Sequence, residues 1–145
     1  MAGKTDVFEN DLLRLIFWGT AIANIADNAA TSPATILYLS LHTADPTDAA
    51  ASGQNTSETT YTGYARMAMN RNSGAWAISG NSVSPVANVD FGTCTAGTAT
   101  ITHVGIGLAS SGTGKLLYAG ALSPAIAVTT GVIPRLTTAS TLTED

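Results

Sequence analysis

The chain has 145 residues, 45% of them hydrophobic and only 11% charged, with ten acidic against six basic residues for a net charge of -4. That length suits one domain spanning residues 1–145, able to bury about two thirds of its unfolded surface unaided, and the single Cys94 excludes an internal disulfide. Six scattered cations offer no basic stripe to a phosphate backbone, and no run approaches the roughly 20 apolar residues of a membrane helix, so neither direct nucleic-acid binding nor membrane insertion is expected.

Residues 6–27 read as the one helix. Phe8, Leu12, Leu15, Ile16, Gly19 and Ile22 follow three-and-four spacing, and Asp6 with Glu9 forms a capping-box pattern. Phe17 and Trp18 fall off the centre of that stripe, at its edge or free for a partner. Asp6, Glu9 and Asp11 stand where a signal peptide is basic, so the chain is expected to be made and kept in a cytoplasm, or packed into something assembled there.

From Ala34 the period changes to two, and β-branched residues between Gly, Asn, Ser and Pro punctuation run on to about residue 142. Residues 35–43 bury Leu37, Leu39 and Leu41 on one face. Residues 44–60 form a long polar loop, the expected surface contact arm. Residues 64–71 and 75–79 read as a hairpin about Asn72-Ser73-Gly74, and Gly80-Asn81 as a second turn. Residues 82–91 carry Pro85 at an edge or bulge. Residues 98–109 place Val104, Ile106 and Leu108 on one face, with Gly105 and Gly107 opposite, where another backbone could approach. After a turn at residues 110–114, residues 115–122 are apolar on both alternations, the pattern of a central, doubly covered strand. Residues 125–128 and 132–142 complete seven to nine strands, at the spacing of a β-sandwich.

No catalytic motif survives inspection. Gly112-Thr113-Gly114-Lys115 lacks the first glycine of a phosphate loop and has Leu116 where a hydroxyl is needed. Gly105-Ile106-Gly107 lacks the third glycine of a dinucleotide fingerprint. His42 and His103 belong to no metal-binding spacing, and a site would need them to converge with Asp45, Asp90 or Cys94. Asp45, Asp48 and Glu58 could offer calcium only a weak site. No cofactor, no metal and no enzymatic activity are expected.

Leu37-Tyr38-Leu39-Ser40-Leu41-His42-Thr43-Ala44-Asp45-Pro46 and Tyr61-Thr62-Gly63-Tyr64-Ala65-Arg66 open a series of distinctive strings. Ser73-Gly74-Ala75-Trp76, His103-Val104-Gly105-Ile106-Gly107, the segment from Gly114 to Leu122 and Leu142-Thr143-Glu144-Asp145 continue it. In order and spacing the series resembles short structural proteins of tailed bacteriophages, over nearly the whole chain. The resemblance implies a jelly-roll-like β-sandwich with one N-terminal helix, and a virion component assembled in the host cytoplasm. The favoured role is a capsid decoration or cement protein on the outside of the head, bound to the major capsid protein and to itself as a dimer or trimer. The alternative is a tail-fibre or minor tail protein, with carbohydrate binding as an added capacity. A compact chain without heptads or repeats favours cement. The expected contacts are residues 1–5, the 44–60 loop with Asp45, Asp48, Asn55 and Glu58, and Phe17 and Trp18 if exposed.

Overall fold

In a computed structural model, residues 6–22, 34–47 and 53–144 are described. Helix α1 (Asp6–Leu13) continues into a π-helical turn (Arg14–Trp18). Nine strands follow: β1 (Ile36–His42), β2 (Met67–Asn70), β3 (Trp76–Ser79), β4 (Ser82–Pro85), β5 (Val89–Asp90), β6 (Ala99–Gly107), β7 (Leu116–Val128), β8 (Arg135–Leu136) and β9 (Leu142–Thr143). Their sheets run β2-β1-β6-β7, β3-β4-β9 and β5-β8. The chain is mainly β with one short N-terminal helix, and its antiparallel sheets are consistent with a β-sandwich. It divides into two compact units, one from described residues within 1–36, 70–88 and 136–145, the other from residues 37–69 and 89–135.

In the first unit the helical segment ends at Trp18, short of the expected Asp27; residues 23–27 lie outside the described residues. Gly19 supplies the stop, adopting the left-handed conformation at φ 69° and returning its N–H to the Arg14 carbonyl. The Arg71 guanidinium donates to the carbonyls of Leu15 and Ile16, covering acceptors that a helix end leaves open, and to that of Ala34 just before β1. The buried face also differs from the expected stripe: Glu9, Leu13 and Phe17 point inward, four residues apart, while Leu12, Leu15 and Ile16 are half-buried. Phe17, the largest of the group, takes the centre and meets Trp76 edge-on at 4.7 Å between ring centroids.

Trp76 begins β3, which pairs with β4 from Trp76↔Pro85 to Ser79↔Ser82. The Gly80-Asn81 turn thus closes a two-residue hairpin as its sequence predicts, with Gly80 at φ 59°. The hairpin expected about Asn72-Ser73-Gly74 does not form, because β2 and β3 belong to different sheets. Among the described residues strand β9 pairs with β4 only at Ser82 and Val83, so no described strand faces Pro85 on that side, where its missing N–H costs nothing.

The second unit is built on the four-stranded sheet. Leu37, Leu39 and Leu41 of β1 are buried as their alternation predicts, and so are Ser40 and His42 on the other face. Strand β6 pairs with β1 from Tyr38↔Gly107 to His42↔His103. Of its expected apolar face, Ile106 is buried, Val104 half-buried and Leu108 exposed. On its other side β6 pairs with β7, whose residues 122–125 bulge out opposite the single residue Thr102. The bulge accommodates Pro124 within one long strand, where the sequence reads as two. β7 also closes the sheet as its edge strand, not as the expected central one.

Candidate interaction surface

The described half of the expected contact arm is built into the second unit. After Asp45 and Thr47 the chain is described again from Gly53, and from there it returns along β1. The Thr43 N–H donates to the Ser57 carbonyl, and the Thr59 N–H to that of Leu41. Gln54 is fully buried: its side chain donates to the Tyr38 carbonyl at 2.8 Å and accepts from the Ala109 N–H at 3.2 Å. Its own N–H donates to the Gly114 carbonyl. One glutamine therefore ties β1, the returning segment and the β6–β7 turn together.

Glu58 and Arg66 form the most buried ion pair among the described residues of this unit. Arg66 Nε and Nη2 donate to the two carboxylate oxygens at 2.7 Å each, with the Arg66 side chain 2% and the Glu58 side chain 14% exposed. The Tyr64 hydroxyl also donates to Glu58, at 2.7 Å, and accepts from the Leu41 N–H. Two of the three remaining guanidinium hydrogens reach the carbonyls of Ala109 and Gly112, pinning the β6–β7 turn. Burial opposes ionisation of Glu58, but the Arg66 and Tyr64 hydrogen bonds outweigh it and hold the carboxyl below the usual 4.5.

Beside this pair, His42 is enclosed. Its Nδ1 bonds the Thr56 carbonyl at 2.8 Å, which fixes a proton there, and its Nε2 then accepts from Ser40 Oγ at 2.9 Å. Burial pushes the imidazole below 6.5. The glycines across from it are required by this unit itself. A Cβ on Gly105 would stand 2.6 Å from His42 Nε2, and one on Gly107 2.3 Å from Gln54 Oε1 and 2.7 Å from the Lys115 carbonyl. The close approach expected at Gly105 and Gly107 is filled by the chain's own side chains and backbone.

The structure separates the expected contact residues. Phe17 is fully buried and serves the core, so it is withdrawn as a contact. Glu58 is likewise committed internally, to Arg66 and Tyr64. Trp18 is half-buried, its Nε1 donating to the Trp76 carbonyl and its ring 5.5 Å from the Arg14 guanidinium carbon. Asp45 accepts from the Thr47 N–H and hydroxyl, which hold its carboxyl below its ordinary value, and lies 4.0 Å from His103 Nε2. Asn55 is exposed, and Asp48 and residues 1–5 lie outside the described residues. Large exposed apolar side chains among the described residues are Val86 and Ile133, which the sequence reading passed over, and Leu108, which it placed on an apolar strand face.

The aromatics that could form a sugar platform are mostly engaged. Tyr61 and Trp76 are buried, and Tyr38, Tyr64 and Tyr118 half-buried. Cys94 is buried with its Sγ toward the Ala96 and Gly97 carbonyls. Among the described residues no three His, Cys, Asp or Glu side chains gather to hold a metal, and no helix is long and apolar enough to cross a membrane.

Among the described residues of the second unit, Gln54, Glu58, Tyr64 and Arg66 thus brace the chain's own loops. Over residues 3–143 the chain matches the family described as Podophage GP4 fiber I protein gp80, and it belongs to that family. It is a bacteriophage structural protein, and so a component of the virion. No curated protein matches it.

Proposed function

We propose that this chain is a non-enzymatic fibre component on the outside of the particle, held there by contacts with other virion proteins. The single observation carrying the reading is the family match across residues 3–143, whose description names a fibre protein. The braced loops add to it. Arg66 and Gln54 hold the exposed 110–113 turn in place, and a surface that is ordered before contact loses less entropy on docking. With 11% charged residues, attachment rests on apolar and hydroxyl surface, multiplied over many copies.

A capsid-cement role is the second reading, with the major capsid protein as partner. It is favoured by the short helical segment, which stops at Trp18 and is too brief for a coiled-coil shaft. Immunogold electron microscopy of purified virions, with antibody against this chain, separates the two. Gold on fibres or tail supports the fibre reading, gold spread over the capsid shell replaces it with cement, and particles left unlabelled by an antibody that reaches its epitope overturn both.

A further inference from the structure

An asparagine carries an electrophilic amide carbon close to the backbone nitrogen of the next residue, and the fold decides whether the two are free to react. At most of the described asparagines one of these groups is engaged or buried. The side-chain amides of Asn10 and Asn81 donate to the carbonyls of Gly80 and Glu144. The N–H of Thr56, after Asn55, donates to the Gly53 carbonyl, and that of Arg71, after Asn70, to the Thr35 carbonyl. Val89, after Asn88, is buried in β5.

Asn72 differs at every reacting atom. The Ser73 N–H and Asn72 Nδ2 have no hydrogen-bond partner among the described residues, so nucleophile and leaving group are both unheld. The Gly74 N–H donates to Asn72 Oδ1 at 3.0 Å, on the oxygen that becomes negative when the amide carbon is attacked. Asn72, Ser73 and Gly74 are all exposed, so water and hydroxide reach them.

We propose that Asn72-Ser73 is a self-modification site, where the chain deamidates through a cyclic imide. The Ser73 nitrogen gives its proton to hydroxide and bonds to Asn72 Cγ. The Cγ–Nδ2 bond then breaks, and Nδ2 leaves as ammonia with a proton from water. A second water opens the imide at either carbonyl, leaving aspartate or isoaspartate, so the net reaction consumes one water and releases one ammonia. The added acid takes the net charge from -4 to -5. The isoaspartate form also turns the Asn72 carbonyl, which accepts from the Ala75 and Trp76 N–H groups, into a side-branch carboxylate. That loosens the entry to β3, where Trp76 packs on Phe17. The inference holds for a fibre or a capsid location alike.

The test holds the full chain in mildly alkaline buffer, folded and in urea, and follows each asparagine by peptide mass spectrometry, with isoaspartate counted by enzymatic methylation. In urea Asn72 and Asn81, both followed by serine, are expected to convert alike. Folded, Asn81 is expected to fall behind Asn72 by roughly tenfold or more, because a held side chain reacts only after local opening. Ser73→Pro is expected to lose conversion at Asn72. The Ser73 N–H makes no bond, and the second position of the turn closed by Ala75 N–H on the Asn72 carbonyl accepts proline. Folding that slows Asn72 as much as Asn81 overturns the proposal. So does aspartate without isoaspartate as product, or conversion at Asn72 in Ser73→Pro at the parent's rate.

Discussion

Glu58 and Arg66 show how a residue's role is decided by what lies beside it in space. In sequence Glu58 is one acid in a polar loop, and no local rule links it to an arginine eight positions on. The fold makes the pair by turning the chain back along β1. Removing one partner strands the other, so Glu58→Ala is expected to cost about 3–5 kcal/mol in urea denaturation, because the Arg66 guanidinium stays buried without its carboxylate. The double change Glu58→Leu with Arg66→Met is expected to cost less than Glu58→Ala alone. Phe17 is the apolar counterpart. Its spacing put it off the helical stripe, while its size and the Trp76 ring bring it to the centre, and Phe17→Ala is expected to cost about 3–5 kcal/mol.

The same cluster sets the acid limit of stability. His42 has its pKa depressed from 6.5 by burial, so the unfolded chain takes up that proton first; its contribution is complete above pH 6.5 and declines as pH falls toward the folded value. Glu58 is depressed from 4.5, so its contribution is complete above 4.5 and is lost as pH falls through the lower folded value. Thermal melts across pH 8 to 3 are expected to show a decline in two stages, the first beginning near 6.5 and absent from His42→Gln. A flat profile down to pH 5 in the parent would remove His42 from this account.

At the scale of elements, alternation was the dependable signal. The Leu37, Leu39 and Leu41 face of β1, the Gly80-Asn81 hairpin and the turn before β7 are all legible in the sequence, because period-two burial and glycine turns are local physics. Partner choice was not. Asn72-Ser73-Gly74 has hairpin chemistry, but long-range pairing assigns β2 and β3 to different sheets. The helix was overextended because Gly19 and Ile22 fit an apolar period, and periodicity takes no account of a left-handed stop. Gly107 was read correctly as a place of close approach and wrongly as an outward one. Gly107→Ala is expected to destabilise by about 1–3 kcal/mol, and pairing it with Gln54→Ala recovers only part, since the Lys115 carbonyl remains in the way. Chemical denaturation of the single and double variants measures both.

At the scale of the molecule, the low charge reads directly from composition and carries a consequence for attachment. Contacts made by apolar and hydroxyl surface are weakly screened, so co-sedimentation of the chain with particles stripped of it is expected to change little between 50 and 500 mM salt, on the order of twofold at most. Steep loss of binding with salt would point to an ionic surface that the sequence does not offer. The virion assignment was legible because strings such as Leu37-Tyr38-Leu39-Ser40-Leu41-His42 extend over the whole chain. Location on the particle was not, since none of those strings touches a chemistry specific to head or tail.

The interleaving of the two units also orders events during synthesis. The second unit has all its residues once the chain has grown to Arg135, whereas the first takes residues from both flanks and lacks its third strand until Leu142 and Thr143 pair with β4. At about 10 residues per second, β9 leaves the ribosome roughly a second after the last residue of the second unit. For that interval the β3–β4 hairpin presents Ser82 and Val83 without their neighbour. A nascent chain halted after Arg135 is therefore the species on which chaperones and proteases would act.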